Sequence, residues 1–240
     1  DGFKHGKSEF FNDEGKFLYD EIYEYGNIGL SALRVSLDNF ISIDNEIQNE
    51  IERFKSQPKN ILQKVINSVL LISNANDIIG AAFFIDKQHF LTNLHIVENQ
   101  KSLSFKTQKQ EEIEATLIKS DKSLDLALYK SNRIGNPVNF GYDADIVIGE
   151  SAFIVGHPNG YSYSINKGII STIREDVDEL PGTKVVQTDA PISPGNSGGP
   201  LIQDNKVIGI VSFKSVRKFT EGIGFAIHSE EIMDFIDGVN

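Results

Sequence analysis

Apolar and polar positions along the chain fall into three textures. From Phe10 to Asn27 the chain reads F-F-N-D-E-G-K-F-L-Y-D-E-I-Y-E-Y-G-N, aromatic and polar residues in short alternating runs, with glycines at 6, 15 and 26. Period-two alternation cut by glycine predicts small hairpins. Between Asp38 and Ser56 the period lengthens, and Phe40, Ile43, Ile47, Ile51 and Phe54 make one apolar stripe on a helix, with Asp38 as N-cap and Pro58 as stop. From Asn67 to Ser229 short apolar runs alternate with turn residues. Strands are expected at Val69–Ser73, Ala81–Asp86, Phe90–Leu94, Leu103–Lys106, Ile113–Lys119 and Asp125–Lys130. They continue at Ser151–Gly156, Ile165–Ile173, Lys184–Thr188, Pro200–Gln203, Val207–Phe213 and Gly224–His228. A dozen strands with no long helical pattern between them predict a mostly β sandwich or barrel. Asp204-Asn205 reads as a tight hairpin turn, and Ser229 as the cap of a closing helix with Gly238 just past its end. The expected organisation is a β-hairpin segment at 1–30, a linker and amphipathic helix at 31–66, and the main domain at 67–240.

Composition narrows the function. A formal net charge of −11 argues against nucleic acid or an anionic membrane surface as the main partner. No apolar run is long enough to span a bilayer. The absence of cysteine removes disulfides, thiolate metal sites and cysteine nucleophiles together. The chain starts at Asp1 rather than methionine, so a native N-terminus is expected to be missing, and the compartment, cytoplasmic or exported, stays open.

The chemistry concentrates in Thr188–Leu201, T-D-A-P-I-S-P-G-N-S-G-G-P-L, where Ser197 sits in a turn dense in glycine and proline. Such a turn can aim successive backbone N–H groups at one point, as an acyl-transfer oxyanion requires. A serine needs a base, and only five histidines exist. His95 follows an apolar run in L-T-N-L-H-I-V-E, and Asp125 is a lone carboxylate opening an apolar strand in S-L-D-L-A-L-Y. Taken singly, each has a plain structural reading: a core or surface histidine, a turn aspartate, a tight loop. The order His, Asp, Ser along a many-stranded chain is one of the known orders of the convergent triads. No two histidines show metal-ligand spacing with a carboxylate, so neither a metal nor a cofactor is expected.

T-N-L-H-I-V, D-L-A-L, V-G-H-P-N-G, the Thr188–Leu201 stretch and G-I-G-F-A-I together resemble the HtrA (Deg) family of trypsin-like serine endopeptidases, over about residues 67–237. The resemblance implies two six-stranded antiparallel β-barrels with the site between them. It implies His95 as general base, Asp125 as its orienting acid and Ser197 as nucleophile. The oxyanion hole would be the N–H groups of Gly195 and Ser197, with Asn196 shaping the loop. Thr188 and Asp189 match a signature that is structural in the family, and His157 falls at a variable position with a structural role. Pro191 and Ile192, with Ser212, Phe213 and Lys214 as a wall, would form an S1 pocket: small or medium apolar, or favouring an acidic side chain if Lys214 reaches it. A polypeptide substrate is implied. HtrA proteins usually carry PDZ domains and often assemble as trimers; no PDZ domain is expected within this chain. Residues His5–Asn27 resemble one unit of a MORN-type repeat, which needs stacked neighbours to bury its face. An irregular β-rich lead-in is the other reading of that stretch, and a helix packed on the main domain or binding a partner the two readings of Asp38–Ser56. Two functions from different classes stand: an active serine endopeptidase, regulated through its N-terminal region, and a catalytically silent binding or scaffold protein on the same fold.

Overall fold

The computed structural model describes residues 6–11, 17–24, 27–28, 62–214 and 222–238, with side chains for 62–213 and 222–238. The helix expected at Asp38–Ser56 lies outside the described residues. Residue contacts divide the chain into two compact units, 1–59 and 60–240. In the smaller, β1 (Gly6–Phe11), β2 (Phe17–Glu24) and β3 (Asn27–Ile28) form an antiparallel sheet in that order. A register shift between Phe10 and Phe11 interrupts the first pairing.

The larger unit begins with a helix, α1 (residues 62–68), which carries Val65 into the core, so residues 62–66 of the expected linker pack with the strands that follow. Then come β4 (Val69–Ser73), β5 (Ile78–Phe84), β6 (His89–Asn93), the one-turn helix α2 (Leu94–Val97), β7 (Ser104–Lys106), β8 (Glu112–Ile113), β9 (Ala115–Asp121) and β10 (Leu126–Ser131). They form a seven-stranded sheet in the order β8-β7-β4-β5-β6-β10-β9 rather than a closed six-stranded barrel. Glu114 alone separates the two edge strands, so residues 112–121 are one strand broken at that point. The Glu114 carbonyl there accepts from the Asn132 N–H, outside the ladder. The first half therefore wraps into a half-barrel.

The second half meets the expectation of closure. β11 (Ser151–Gly156), β12 (Ser164–Arg174), β13 (Val185–Thr188), β14 (Pro200–Gln203), β15 (Lys206–Lys214) and β16 (Gly224–His228) make a closed barrel in the order β11-β12-β13-β16-β15-β14. Asp204 and Asn205, with φ of 43° and 68°, turn β14 into β15, as a two-residue hairpin with both central residues left-handed requires. A final helix, α3 (Ser229–Ile236), sets Ile232 and Phe235 into the core. Its N-cap is His228, whose Nδ1 accepts from the Glu230 N–H at 3.0 Å, and the expected cap Ser229 is instead the first helical residue, buried.

Three apolar clusters explain why the strands read as continuous apolar runs rather than clean alternations. Phe84, Phe90, Phe105 and Tyr129 fill the half-barrel, with Phe90 stacked on Tyr129 at 5.4 Å. Ile154, Ile170, Val186, Leu201, Ile208 and Val211 fill the closed barrel. The intervening positions, including Ala81, Phe83, Leu91 and Leu128 from the first half and Val155, Val185, Ile202 and Ile227 from the second, join a third cluster between the halves. Strands buried on both faces lose the period-two signal.

Candidate active site

His95 stands on α2, the turn that follows β6. That turn is pinned to the loop before β10: the Leu94 N–H and the Asn93 Nδ2 both donate to the Asp125 carbonyl, at 3.0 and 3.1 Å. Asp125 itself has φ of +53°, which turns its carboxylate back toward α2. The carboxylate accepts three hydrogen bonds: His95 N–H to Oδ1 at 2.9 Å, His95 Nδ1–H to Oδ2 at 2.7 Å, and Ser212 Oγ–H to Oδ2 at 2.8 Å. A carboxylate only accepts, so Nδ1 carries a proton, and in the neutral ring the lone pair is then on Nε2. Asp125 is 16% exposed and His95 50%, so the acid is sheltered while the ring faces the solvent side. The apolar pattern predicts His95 where a strand meets a loop and Asp125 as the residue that opens a strand; the structure has a helical turn at His95 and a left-handed Asp125 just before β10.

The loop carrying Ser197 is stitched to both halves of the molecule. The Ala81 N–H of β5 donates to the Ser197 carbonyl at 2.9 Å, and the Gly198 N–H donates to Val211 of β15 at 2.8 Å. Gly198 has φ of +81°, and a Cβ there would lie 2.1 Å from the Ala81 carbonyl oxygen. At Gly195, φ is +97° and a Cβ would lie 2.1 Å from the His157 carbonyl oxygen. Only glycine fits either place. The His157 and Asn159 N–H groups donate to the Gly195 and Pro194 carbonyls, bracing the loop from behind. Among the described residues the N–H groups of Gly195 and Ser197 have no acceptor, while that of Asn196 donates to the Ser193 carbonyl at 2.9 Å.

His95 and Asp125 are brought together; Ser197 is not bonded to them. The Ser197 hydroxyl donates to the Ser212 carbonyl at 2.9 Å, and among the described residues no hydrogen bond joins it to His95. Ser212, expected only as pocket wall, thus touches both sides of the site, its carbonyl holding Ser197 and its hydroxyl holding Asp125. The signal available in sequence was a lone hydroxyl at the end of the apolar run V-I-G-I-V-S-F.

The expected S1 residues separate. Ile192 is 9% exposed and belongs to the closed barrel's core, lying so close over Gly224 that a Cβ there would meet its Cδ1 at 2.4 Å. Pro191 is exposed, and its carbonyl accepts from the Asn166 and Asn196 side chains at 2.6 and 3.2 Å. Phe213 stacks on Phe225 at 5.0 Å. The Lys214 side chain lies outside the described residues. Thr188 and Asp189 hold main chain: Thr188 Oγ1 donates to the Ile169 carbonyl, and Asp189 Oδ1 accepts from the Ile169 N–H, each at 2.7 Å.

His157 is fully buried, its Nδ1 accepting from the Tyr163 N–H and its Nε2 donating to the Leu70 carbonyl of β4. Desolvation pushes it down to about 4, against the raising effect of the Leu70 carbonyl. His228 stands near two carboxylates: Asp143, His228 and Glu230 bring ligand-type atoms within 4.8 Å of one another. The Lys184 ammonium pairs with both carboxylates there, at 3.0 and 2.9 Å, and so supplies the positive charge of the cluster. Among the described residues no helix is long and apolar enough to cross a membrane.

The family model for the trypsin-like peptidase domain matches residues 80–210. The chain is 37% identical over 156 residues to "Serine protease Do-like HtrA" of Bacillus subtilis (strain 168), covering 61% of this chain and 35% of that protein. It is 32% identical over 168 residues to "Protease Do-like 1, chloroplastic" of Arabidopsis thaliana, covering 66% of this chain and 38% of that one. It therefore spans about a third of the length of these curated relatives. Among solved structures, the HtrA-type protease AlgW with tripeptide superposes with a TM-score of 0.66 at 28% identity, covering 74% of this chain and 62% of that one. The serine endoprotease from Yersinia pestis does so with a TM-score of 0.63 at 26% identity, over 73% of this chain and 64% of that one.

Proposed function

This chain belongs to the trypsin-like peptidase family, and on that footing we propose that it is a serine endopeptidase that hydrolyses peptide bonds of protein substrates through an acyl-enzyme at Ser197. The observation that carries the proposal is the Asp125 carboxylate bonded at once to the main chain and ring of His95 and to Ser212. A ring fixed in that tautomer presents Nε2 as a base. To bond Nε2 the Ser197 hydroxyl must leave the Ser212 carbonyl, a change of rotamer about its Cα–Cβ bond. His95 takes the hydroxyl proton as Ser197 Oγ attacks the scissile carbonyl, and Asp125 stabilises the imidazolium without taking the proton. The oxyanion accepts from the Gly195 and Ser197 N–H groups, with Asn196 shaping the loop; each such donor is worth about 3–4 kcal/mol of transition-state stabilisation. The imidazolium then protonates the leaving amine, and water repeats the cycle on the ester. Ile192, packed on Gly224, would fill the bottom of S1 and so limit the pocket to a small apolar side chain.

The unit 1–59 is proposed to restrain the enzyme or recruit its substrate. One experiment tests both readings: fluorophosphonate labelling with intact-mass readout of the chain, its Ser197→Ala variant and a chain beginning at Asn60. A single adduct on every form except Ser197→Ala is the expected result, and labelling of Ser197→Ala refutes the assignment. A labelling rate unchanged by removing 1–59 refutes the restraint. Labelling of no form favours the silent binding protein.

A further inference from the structure

A cleft opens beside His95, with His95, Asp125 and Ser212 along one wall and residues the proposed reaction does not use along the rest. Glu98 and Lys122 stand on its half-barrel side, and Glu179, Leu180 and Phe213 on the side of the closed barrel. Leu180 and Phe213 pack with the cluster between the halves, so the cleft has an apolar base fixed by the core. Its rim is charged. Glu98 and Lys122 face each other at 3.5 Å with 41% and 84% of their side chains exposed, a contact that holds neither firmly. Glu179 is exposed and, among the described residues, has neither a hydrogen bond nor an ion-pair partner. Its neighbours Glu175, Asp176 and Asp178 are acidic as well, with Arg174 paired to Asp176 at 3.8 Å.

The position of the cleft says which part of a substrate meets it. Successive side chains of an extended peptide point to opposite sides. If one side chain enters the closed barrel toward Ile192 and Gly224, the next points away, toward the half-barrel that supplies His95, Glu98 and Lys122. The cleft also shares Ser212 and Phe213 with the expected S1 wall, so its occupant would be a chain neighbour of the S1 residue.

We propose that this cleft is the S2 subsite and that it selects a basic residue, lysine or arginine, whose methylene stem lies on Leu180 and Phe213 and whose cation meets Glu179. The inference rests on the peptidase reading above. A long cationic side chain matches both halves of the cleft, apolar stem on apolar base and charged tip at the rim. An acidic residue there would meet Glu179 and Glu98, against the one lysine of the lining, Lys122, which already faces Glu98. Norleucine would keep the stem contacts and lose the charge.

The test is a set of fluorogenic peptides with a fixed small apolar P1 and lysine, arginine, norleucine or glutamate at P2, hydrolysed by the full chain. The expected order of kcat/KM is lysine and arginine, then norleucine, then glutamate, with lysine above norleucine by at least about twofold, the size of an exposed ion pair. Glu179→Gln is expected to lower the lysine-to-norleucine ratio by about 2- to 5-fold, and Glu179→Lys to raise glutamate above lysine. Glu150→Gln removes the same charge from an exposed site outside the cleft and leaves the ratio as it was. Salt at about 0.5 M shrinks the ratio, because the pair is exposed. A ratio at or below unity, a ratio indifferent to Glu179→Gln, or a basic preference only on the leaving side overturns the subsite while the peptidase reading stands. Failure to cleave any peptide, with no fluorophosphonate adduct, overturns the peptidase reading and the subsite with it.

Discussion

Burial holds the His157 ring neutral between two partners that need opposite things from it. Tyr163 donates to Nδ1 and Leu70 accepts from Nε2, an arrangement one neutral tautomer satisfies and an imidazolium does not. Its value near 4 against an ordinary 6.5 reflects desolvation first. A depressed histidine pKa means that the unfolded chain takes up the proton first as pH falls. Its contribution is complete above pH 6.5 and is lost between pH 6.5 and 4, on the order of 3 kcal/mol in all. Urea unfolding at pH 7 and pH 4.5 is expected to show a steeper acid loss for the parent chain than for His157→Gln; equal losses would mean that this ring is not the titrating group. At this scale the sequence was informative where chemistry is local. His95, Asp125 and Ser197 stood out by residue type and neighbours. Ser212 did not, because its bond to Asp125 joins residues 87 positions apart. Nor could spacing show that the Ser197 hydroxyl rests on a carbonyl, since a rotamer leaves no mark on composition.

The elements that hold the site are short and depend on each other. Gly198 lets the Ser197 loop lie directly on β5, and a methyl group there would strike the Ala81 carbonyl. Gly198→Ala must move the loop or leave a left-handed alanine, a cost of about 1–3 kcal/mol. A displacement of about 1 Å costs on the order of 100-fold in rate. The fluorophosphonate labelling rate of Gly198→Ala is expected to fall at least tenfold while circular dichroism keeps its β signature; an unaltered rate would show that the stitch to β5 does not set the position of Ser197. Strand positions were legible because turn residues punctuate the apolar runs. The four residues of α2 were not, being too few to show a helical period. Neither was the break at Glu114, where one carbonyl leaves the ladder for Asn132. His228 as the cap of α3 was hidden because Ser229 is the better capping residue by type.

At the scale of the whole larger unit, the cluster between the halves decides the behaviour. It draws on the half-barrel and the closed barrel, on α1 through Val65 and on α3 through Ile232 and Phe235, so the halves share one core and are joined by it more than by the chain that runs from β10 to β11. A backbone cut among the exposed residues 132–134 is therefore expected to leave a particle that elutes as one species, separates only in denaturant, and labels within about twofold of the intact protein. Separation under native conditions would show that the covalent connection is what holds the halves. This shared core was not readable from the sequence, because a strand buried on both faces carries no phase to say which face meets which partner. His95 and Asp125 come from the first half and Ser197 from the second, so the proposed reaction requires both halves to be present and docked. Under the proposed reaction the seam would act as a coincidence detector: a chain with only one half intact holds His95 and Asp125, or Ser197, but not all three.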